Sequence, residues 1–355
     1  MGLGRENFDY KRYIVNSIGN TQYLTKNRCI KLLDSIDNPD IDKIDFKKEN
    51  PKTVLLKELS ANPLDLIKLI EEYEYDKYYK YFCLYRLENV DMNYIAKVLQ
   101  SKEWVNLEEM DYVSDTLEKP SIRYYEDSID IKFSKIFSTN PQYADGFKYP
   151  VIITLFTELK LVLIKYCAVP WEYNQPEFYI KIHDLVKNWI INVMKVTLIE
   201  FESFKAFQDL RLSIRDNPNE YPNVTAHLLT MDDEFNGRTS LRSTNQDELP
   251  LVDGILKIAE TFSNEYDRNK LVEYIKRYEN ESIVRFIGIK WKERFSNSRG
   301  RLGSITVILR KMHSLDNDKL YYRFTHHHIL SQDSINRERI NHVIKYLSNY
   351  IGENS

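Results

Sequence analysis

The chain has 355 residues, 43% of them apolar and 29% charged, with a formal charge of −3. That length fits two or three domains, and the mix excludes an intrinsically disordered chain. With only 10 glycines, collagen-like and glycine-loop-rich designs are excluded as well.

Three cysteines, Cys29, Cys83 and Cys167, stand far apart and form no CxxC. Their spacing argues against a disulfide framework or zinc site and for a reducing, intracellular setting, cytoplasmic or nuclear. Met1 to Glu6 carry no apolar leader. The longest apolar run, Tyr149 to Trp171, holds Glu158, Lys160 and Lys165. Burying those charges in lipid would cost several kcal/mol, so the run reads as strands and no membrane association is expected.

Residues 5–119 read as helical. Apolar residues recur every three or four positions through Cys29, Ile30, Leu32, Leu33 and Ile36, then Val54, Leu55, Leu56 and Leu59, then Leu64, Leu66, Ile67, Leu69 and Ile70. That is the spacing of one buried helix face. Asn50-Pro51 and Asn62-Pro63 mark breaks, with each proline suited to a first helical turn. The expectation is a bundle over residues 1–119.

After Pro120 the period changes to two. Ile129, Ile131 and Phe133 alternate with Asp130 and Lys132, Val151 to Phe156 is a β-branched run, and Leu159, Leu161 and Leu163 alternate again. These predict three strands, with a helix from about Glu177 to Met194. Residues 196–214 continue helically on the pattern of Leu198, Phe201, Phe204, Phe207 and Leu210. The first β-β-β-α unit therefore spans 120–215.

Residues 216–355 open with turn chemistry at Asp216 to Asn219 and Tyr221 to Asn223. A strand at Val224 to Leu229, a polar loop from Met231 to Glu248, and helices at Val252 to Phe262 and Tyr266 to Tyr278 follow. The order then repeats: strands at Ile283 to Trp291, Ser304 to Leu309 and Leu320 to Thr325, and an amphipathic helix from Ile335 to Tyr350. The fold class is α+β, a helical bundle followed by two antiparallel β-β-β-α units.

Charge is uneven. Residues 285–345 hold thirteen Lys and Arg against five Asp and Glu, a balance of +8 that leaves −11 for the rest. A basic face on an acidic chain suits a phosphate backbone. The candidates are Lys290, Lys292 and Arg294, alternating along one strand, Arg299 and Arg301 in the polar insert after it, and Arg310 and Lys311. The competing reading is a solvated face, or an interface with an acidic protein or with this chain's own acidic half. A second basic hint lies at Lys47, Lys48 and Lys52, where the extended stretch Ile44 to Glu49 links two short helices as in small DNA-binding modules.

Strong catalytic signatures are missing: no Walker loop, GxGxxG, HExxH or GxSxG. The run His326-His327-His328 cannot ligate one ion from one strand, because adjacent residues face opposite sides. One constellation has chemistry. Asp145 followed by Glu158-Leu159-Lys160 resembles the PD-(D/E)xK nuclease pattern, though no proline immediately precedes the aspartate; in that pattern the two acids hold Mg²⁺ and the lysine orients the attacking water. Ile129-Asp130-Ile131-Lys132 shows that such strings also arise by chance.

The stretch Leu24 to Leu59 with Ile44-Asp45-Phe46 inside it, then Ile129 to Phe133, Tyr149 to Phe156 and Leu159 to Tyr166, resembles the centromere protein N family of kinetochore proteins in the order of its parts. The resemblance implies a death-domain-like helical bundle ahead of antiparallel strands, nucleosomal DNA binding, and dimerisation or pairing with a partner subunit. The leading expectation is a nucleic-acid-binding adaptor with no cofactor, holding duplex DNA. A Mg²⁺-dependent nuclease and a protein–protein scaffold are the alternatives.

Overall fold

The computed structural model describes residues 3–101 apart from 21–22, 37, 39, 42, 62, 78 and 89, and then 120–137, 146–169, 178–232, 237–243, 252–296, 300–313, 320–326 and 337–354. The chain divides into two compact units, Met1–Phe201 with Leu330–Arg337 and Glu202–Ile329 with Glu338–Ser355. Helices and antiparallel strands are mixed in both, the α+β class expected.

The first unit opens with four helices: α1 (Leu3–Asn20), α2 (Lys26–Asp34), α3 (Pro51–Ala61) and α4 (Pro63–Asp76). Ile14, Ile18, Leu24, Leu33, Leu55, Leu59, Ile67 and Ile70 share one core. Thr25 caps α2 by accepting from the Arg28 N–H, and the two prolines open α3 and α4, where the missing N–H costs nothing. The link between α2 and α3 corrects the expectation of an extended stretch at 44–49. Asp45 accepts the Lys47 N–H on its side chain and the Lys48 and Glu49 N–H groups on its carbonyl. Such bonds draw the backbone into tight turns.

There follow β1 (Tyr81–Glu88), α5 (Met92–Ser101), β2 (Ser121–Tyr124), β3 (Ser128–Phe137), β4 (Phe147–Phe156), β5 (Leu161–Tyr166), α6 (Phe178–Met194) and β6 (Thr197–Glu200). The strand order is β2-β3-β4-β5-β1-β6, antiparallel throughout. β1 and β6 correct the sequence reading, which takes both stretches as helical. β1 is buried on both faces from Phe82 to Tyr85, so it lacks the alternation that announces a strand. β6 is too short to show a period.

The sheet has two unlike faces. Ile131, Phe133, Val151, Ile153, Leu155, Val162 and Ile164 form an apolar face under α5 and α6, which add Leu99, Ile182, Val186 and Ile190. The opposite face carries Asp130, Lys132, Lys148, Thr154 and Lys165, all buried. α1 meets the chain at Gly146, the residue just before β4, where a Cβ would meet the Tyr13 ring at 2.8 Å and Asn16 donates to the carbonyl at 2.8 Å. The close approach explains the glycine.

The second unit contains α7 (Ser203–Asp216), a 3₁₀ turn at Pro218–Glu220, β7 (Val224–Asp232), β8 (Arg238–Arg242), α8 (Val252–Glu260), α9 (Glu265–Glu281), β9 (Ile283–Glu293), β10 (Gly303–His313), β11 (Leu320–His326) and α10 (Arg337–Asn354). Its strand order is β11-β10-β9-β7-β8, again antiparallel. β7 and β8 occupy part of the stretch read as a polar loop from 231 to 248. They are tied at Asp232, which accepts from Arg238 at 2.9 Å and Arg285 at 2.6 Å. The strand-strand-strand-helix order recurs as expected, in β3-β4-β5-α6 and β9-β10-β11-α10. Among the described residues, no helix is long and apolar enough to cross a membrane.

Candidate functional site

β9 and β10 make a hairpin that presents the predicted basic residues. Ile289 and Trp291 are buried, and the Trp291 ring sits edge-on to Phe207 of α7 at 6.0 Å and Tyr346 of α10 at 6.1 Å. Anchoring these odd positions turns Lys290 and Lys292 to the other face, where both are half-buried. Lys290 stands between Thr225 of β7 and Thr306 of β10, and Lys292 opposite Ser304.

Beyond the strand, Arg294 is exposed and Phe295 is buried. Phe295 lies between the Arg339 guanidinium, 4.7 Å from its ring centre, and the perpendicular His342 ring at 5.5 Å. Burial lowers the His342 pKa against the pull of Glu293 and Glu338. The Ser296 N–H donates to the Glu338 carboxylate at 3.0 and 3.2 Å, and the Ser296 hydroxyl donates to it too. Arg339 donates to the Ser304 carbonyl at 2.5 Å. The start of α10 therefore holds the hairpin's end. Gly300, at φ +75°, turns the chain back with exposed Arg301 after it. Lys290, Arg294 and Arg301 enter no ion pair among the described residues.

The other predicted residues are scattered. Arg299 lies outside the described residues. Arg310 and Lys311 are successive positions of β10, the first paired with Phe286 and Arg323 and the second with Tyr322. Lys47 and Lys48 are exposed in the α2–α3 link, where Lys48 pairs with Asp45 at 3.7 Å.

The nuclease spacing does not survive as expected. Phe156 pairs directly with Leu161, so residues 157–160 are consumed by the β4–β5 turn. Glu158 and Lys160 are exposed in that turn, with Lys160 in the left-handed region at φ 50°, and they share no strand face. Asp145 lies outside the described residues. Among the described residues no group of three or more His, Cys, Asp or Glu could hold a metal ion.

Sequence reasoning missed a buried ionic seam in the first unit. Lys132 of β3 and Lys148 of β4 each contact both Glu71 and Glu74 of α4, reaching Glu74 at 2.9 and 2.7 Å. All four side chains are at most 1% exposed. The Tyr23 hydroxyl donates to the second Glu74 oxygen. Beside them buried Asp130 accepts from Thr154 at 2.6 Å and from Arg337 at 2.9 Å, with the Lys165 ammonium at 4.0 Å.

Burial pushes the Glu74 pKa up, but the charges of Lys132 and Lys148 outweigh it and hold the group at about 2. Burial works against both ammonium groups as well, and Glu71 and Glu74 outweigh it, so both lysine pKa values rise. Lys165 goes the other way: burial lowers it, and Asp130 offsets this only in part. The four seam charges balance and all four side chains are buried, so in this arrangement the groups are satisfied by one another and none faces an open cleft. The available signal was weak: Glu71 and Glu74 stand at i, i+3 next to the apolar positions Ile67 and Ile70, but α4 also carries Asp65, Lys68, Glu72 and Asp76, so nothing marks these two acids as buried.

No protein-family model matches the chain, and no curated protein matches it.

Proposed function

We propose that the protein is a nucleic-acid-binding adaptor that holds duplex DNA by its phosphate backbone through the β9–β10 hairpin. The observation that supports this is the cation set Lys290, Arg294 and Arg301, which has no ion-pair partner among the described residues, on a hairpin braced by Phe295 and Glu338. Cations kept from internal pairing on a rigid support release counterions when they meet phosphates, and that release drives backbone binding without base reading. Membership of the centromere protein N family is part of the same proposal, supported by a helical bundle ahead of antiparallel strands.

The test is a gel-shift titration with a labelled duplex at two salt concentrations, in EDTA and then in Mg²⁺. Salt-sensitive binding to intact DNA is expected. Arg294→Glu with Arg301→Glu should weaken it and reduce the salt slope by about two. No shift at low salt, or an unchanged slope in the variant, would overturn the proposal. Loss of the duplex only in Mg²⁺ would return the nuclease alternative.

A further inference from the structure

The first unit has two apolar cores with a polar layer between them. One core is shared by α1 to α4, and the other lies between the outer sheet face, α5 and α6. Between them, among the described residues, a small buried cluster of Tyr75, Tyr79 and Ile152 has Cys167 packed against it. Much of the rest of the contact is polar. The Ser17 hydroxyl accepts the Lys148 N–H at 2.9 Å, Asn16 bonds the Gly146 carbonyl, and the four seam ions sit alongside.

Each module would keep its own core if the layer parted. Removing four ions from water offsets most of what their pairing returns, and parting rehydrates all four. The contact is therefore weakly held for the area it covers. Salt reaches the four ions only once the layer has parted, and it screens them there, so rising salt favours the parted state in a way it does not for an apolar contact.

We propose that this seam opens, and that the sheet face beneath it, bearing Lys132 and Lys148 with Lys165 beside them next to Asp130, is a second surface for a nucleic-acid phosphate backbone, whose Lys132 and Lys148 ammonium groups α4 covers when closed. The ligand rests on the nucleic-acid reading above; the opening does not. The three lysines come from three adjacent strands, and Ile152 of β4 pairs with Lys132 on one side and Lys165 on the other. Glu71 and Glu74 put carboxylate oxygens on the Lys132 and Lys148 ammonium groups, where phosphate oxygens make the same charge-assisted bonds. α4 acts as an internal mimic of the ligand.

The experiment uses the full chain carrying Arg294→Glu and Arg301→Glu, which weakens binding at the hairpin and lowers the background against which the second surface is read. Glu71→Gln and Glu74→Gln are added, leaving two buried ammonium groups without counter-charge and driving the seam open. Duplex DNA binding is read by fluorescence anisotropy at low salt, and at least tenfold tighter binding than the hairpin variant alone is expected. Equal binding would overturn the lysine surface while leaving the hairpin reading intact.

Hydrogen exchange of the unsubstituted chain, without DNA, tests the opening separately. The Lys148 N–H, which bonds the Ser17 hydroxyl across the layer, should exchange faster than the amides paired between β1 and β5, and faster still as salt rises. Exchange of the Lys148 N–H only together with those amides, at every salt, would overturn the opening. A closed control, Glu71→Leu, Glu74→Leu, Lys132→Met and Lys148→Met, should remain folded, remove the salt response and show no gain in DNA binding. A salt response that persists in it would also count against the seam.

Discussion

Lys132 and Lys148, on neighbouring strands, converge on one carboxylate oxygen of Glu74, at 2.9 and 2.7 Å. Neither lysine has water to fall back on, so each depends on the two glutamates of α4. Removing one member leaves an uncompensated charge in place. Lys148→Met should therefore destabilise the first unit by about 3–5 kcal/mol, measured by urea denaturation. Replacing all four ions by Leu and Met should be neutral or stabilising, because the desolvation cost disappears with the charges. A small loss from the single change would show that water reaches the site.

The same geometry fixes a pH response. Glu74 has a folded pKa of about 2, below the ordinary glutamate value of about 4.3. A depressed carboxylate contributes stability that is fully present above the unfolded value and is lost as pH falls through the folded one. Thermal stability should decline from about pH 4.3 toward pH 2. Glu74→Gln, destabilised at neutral pH, should show a shallower acid limb. Parallel limbs in the two proteins would assign the acid sensitivity to other groups.

What was legible in the sequence follows the period of its side chains. The two β-β-β-α units are visible because Ile129, Ile131 and Phe133 alternate with Asp130 and Lys132, and because β9 and β10 do much the same. β1 hides because Phe82, Cys83, Leu84 and Tyr85 are all buried, so no polar face interrupts the run. The seam hides for a subtler reason. Alternation says that Asp130 and Lys132 share a face, but not what covers that face; a polar face on a strand ordinarily meets water. Here it meets α4, whose two glutamates lie some sixty residues earlier. The hairpin arginines were visible as charge, while their brace, Phe295 with Glu338, required the packing of α10 against the β9–β10 end.

Arg337 supports a third prediction. Its guanidinium lies 3.5 Å over the Tyr125 ring centre and donates to Asp130 at 2.9 Å and to the Ser128 hydroxyl at 2.6 Å. Stacking and a planar fork are arginine properties that a lysine ammonium does not reproduce. Arg337→Ala should cost about 1.5–3 kcal/mol, the worth of a hydrogen bond to a charged group, and Arg337→Lys should recover little of it. Full recovery by lysine would show that charge alone matters at this position.

Glu338 separates charge from position at the hairpin. It is an acid beside cations assigned to phosphate binding, so its charge alone opposes that binding. It also accepts the Ser296 N–H and hydroxyl, which fixes the chain next to Arg294. Glu338→Gln removes the charge and keeps acceptor and donor groups in place. Glu338→Ala removes the charge and the bonds together. If the brace matters, the glutamine variant should bind duplex DNA at least as tightly as the original chain. The alanine variant should then bind about two- to tenfold more weakly than the glutamine variant, the equivalent of a net hydrogen bond of about 0.5–1.5 kcal/mol. Their salt slopes should agree, because slope counts neutralised phosphates and the two variants carry the same charge. Equal affinities for the two variants would reduce Glu338 to a surface charge and leave the hairpin's geometry to Phe295 and to the Arg339 bond to the Ser304 carbonyl.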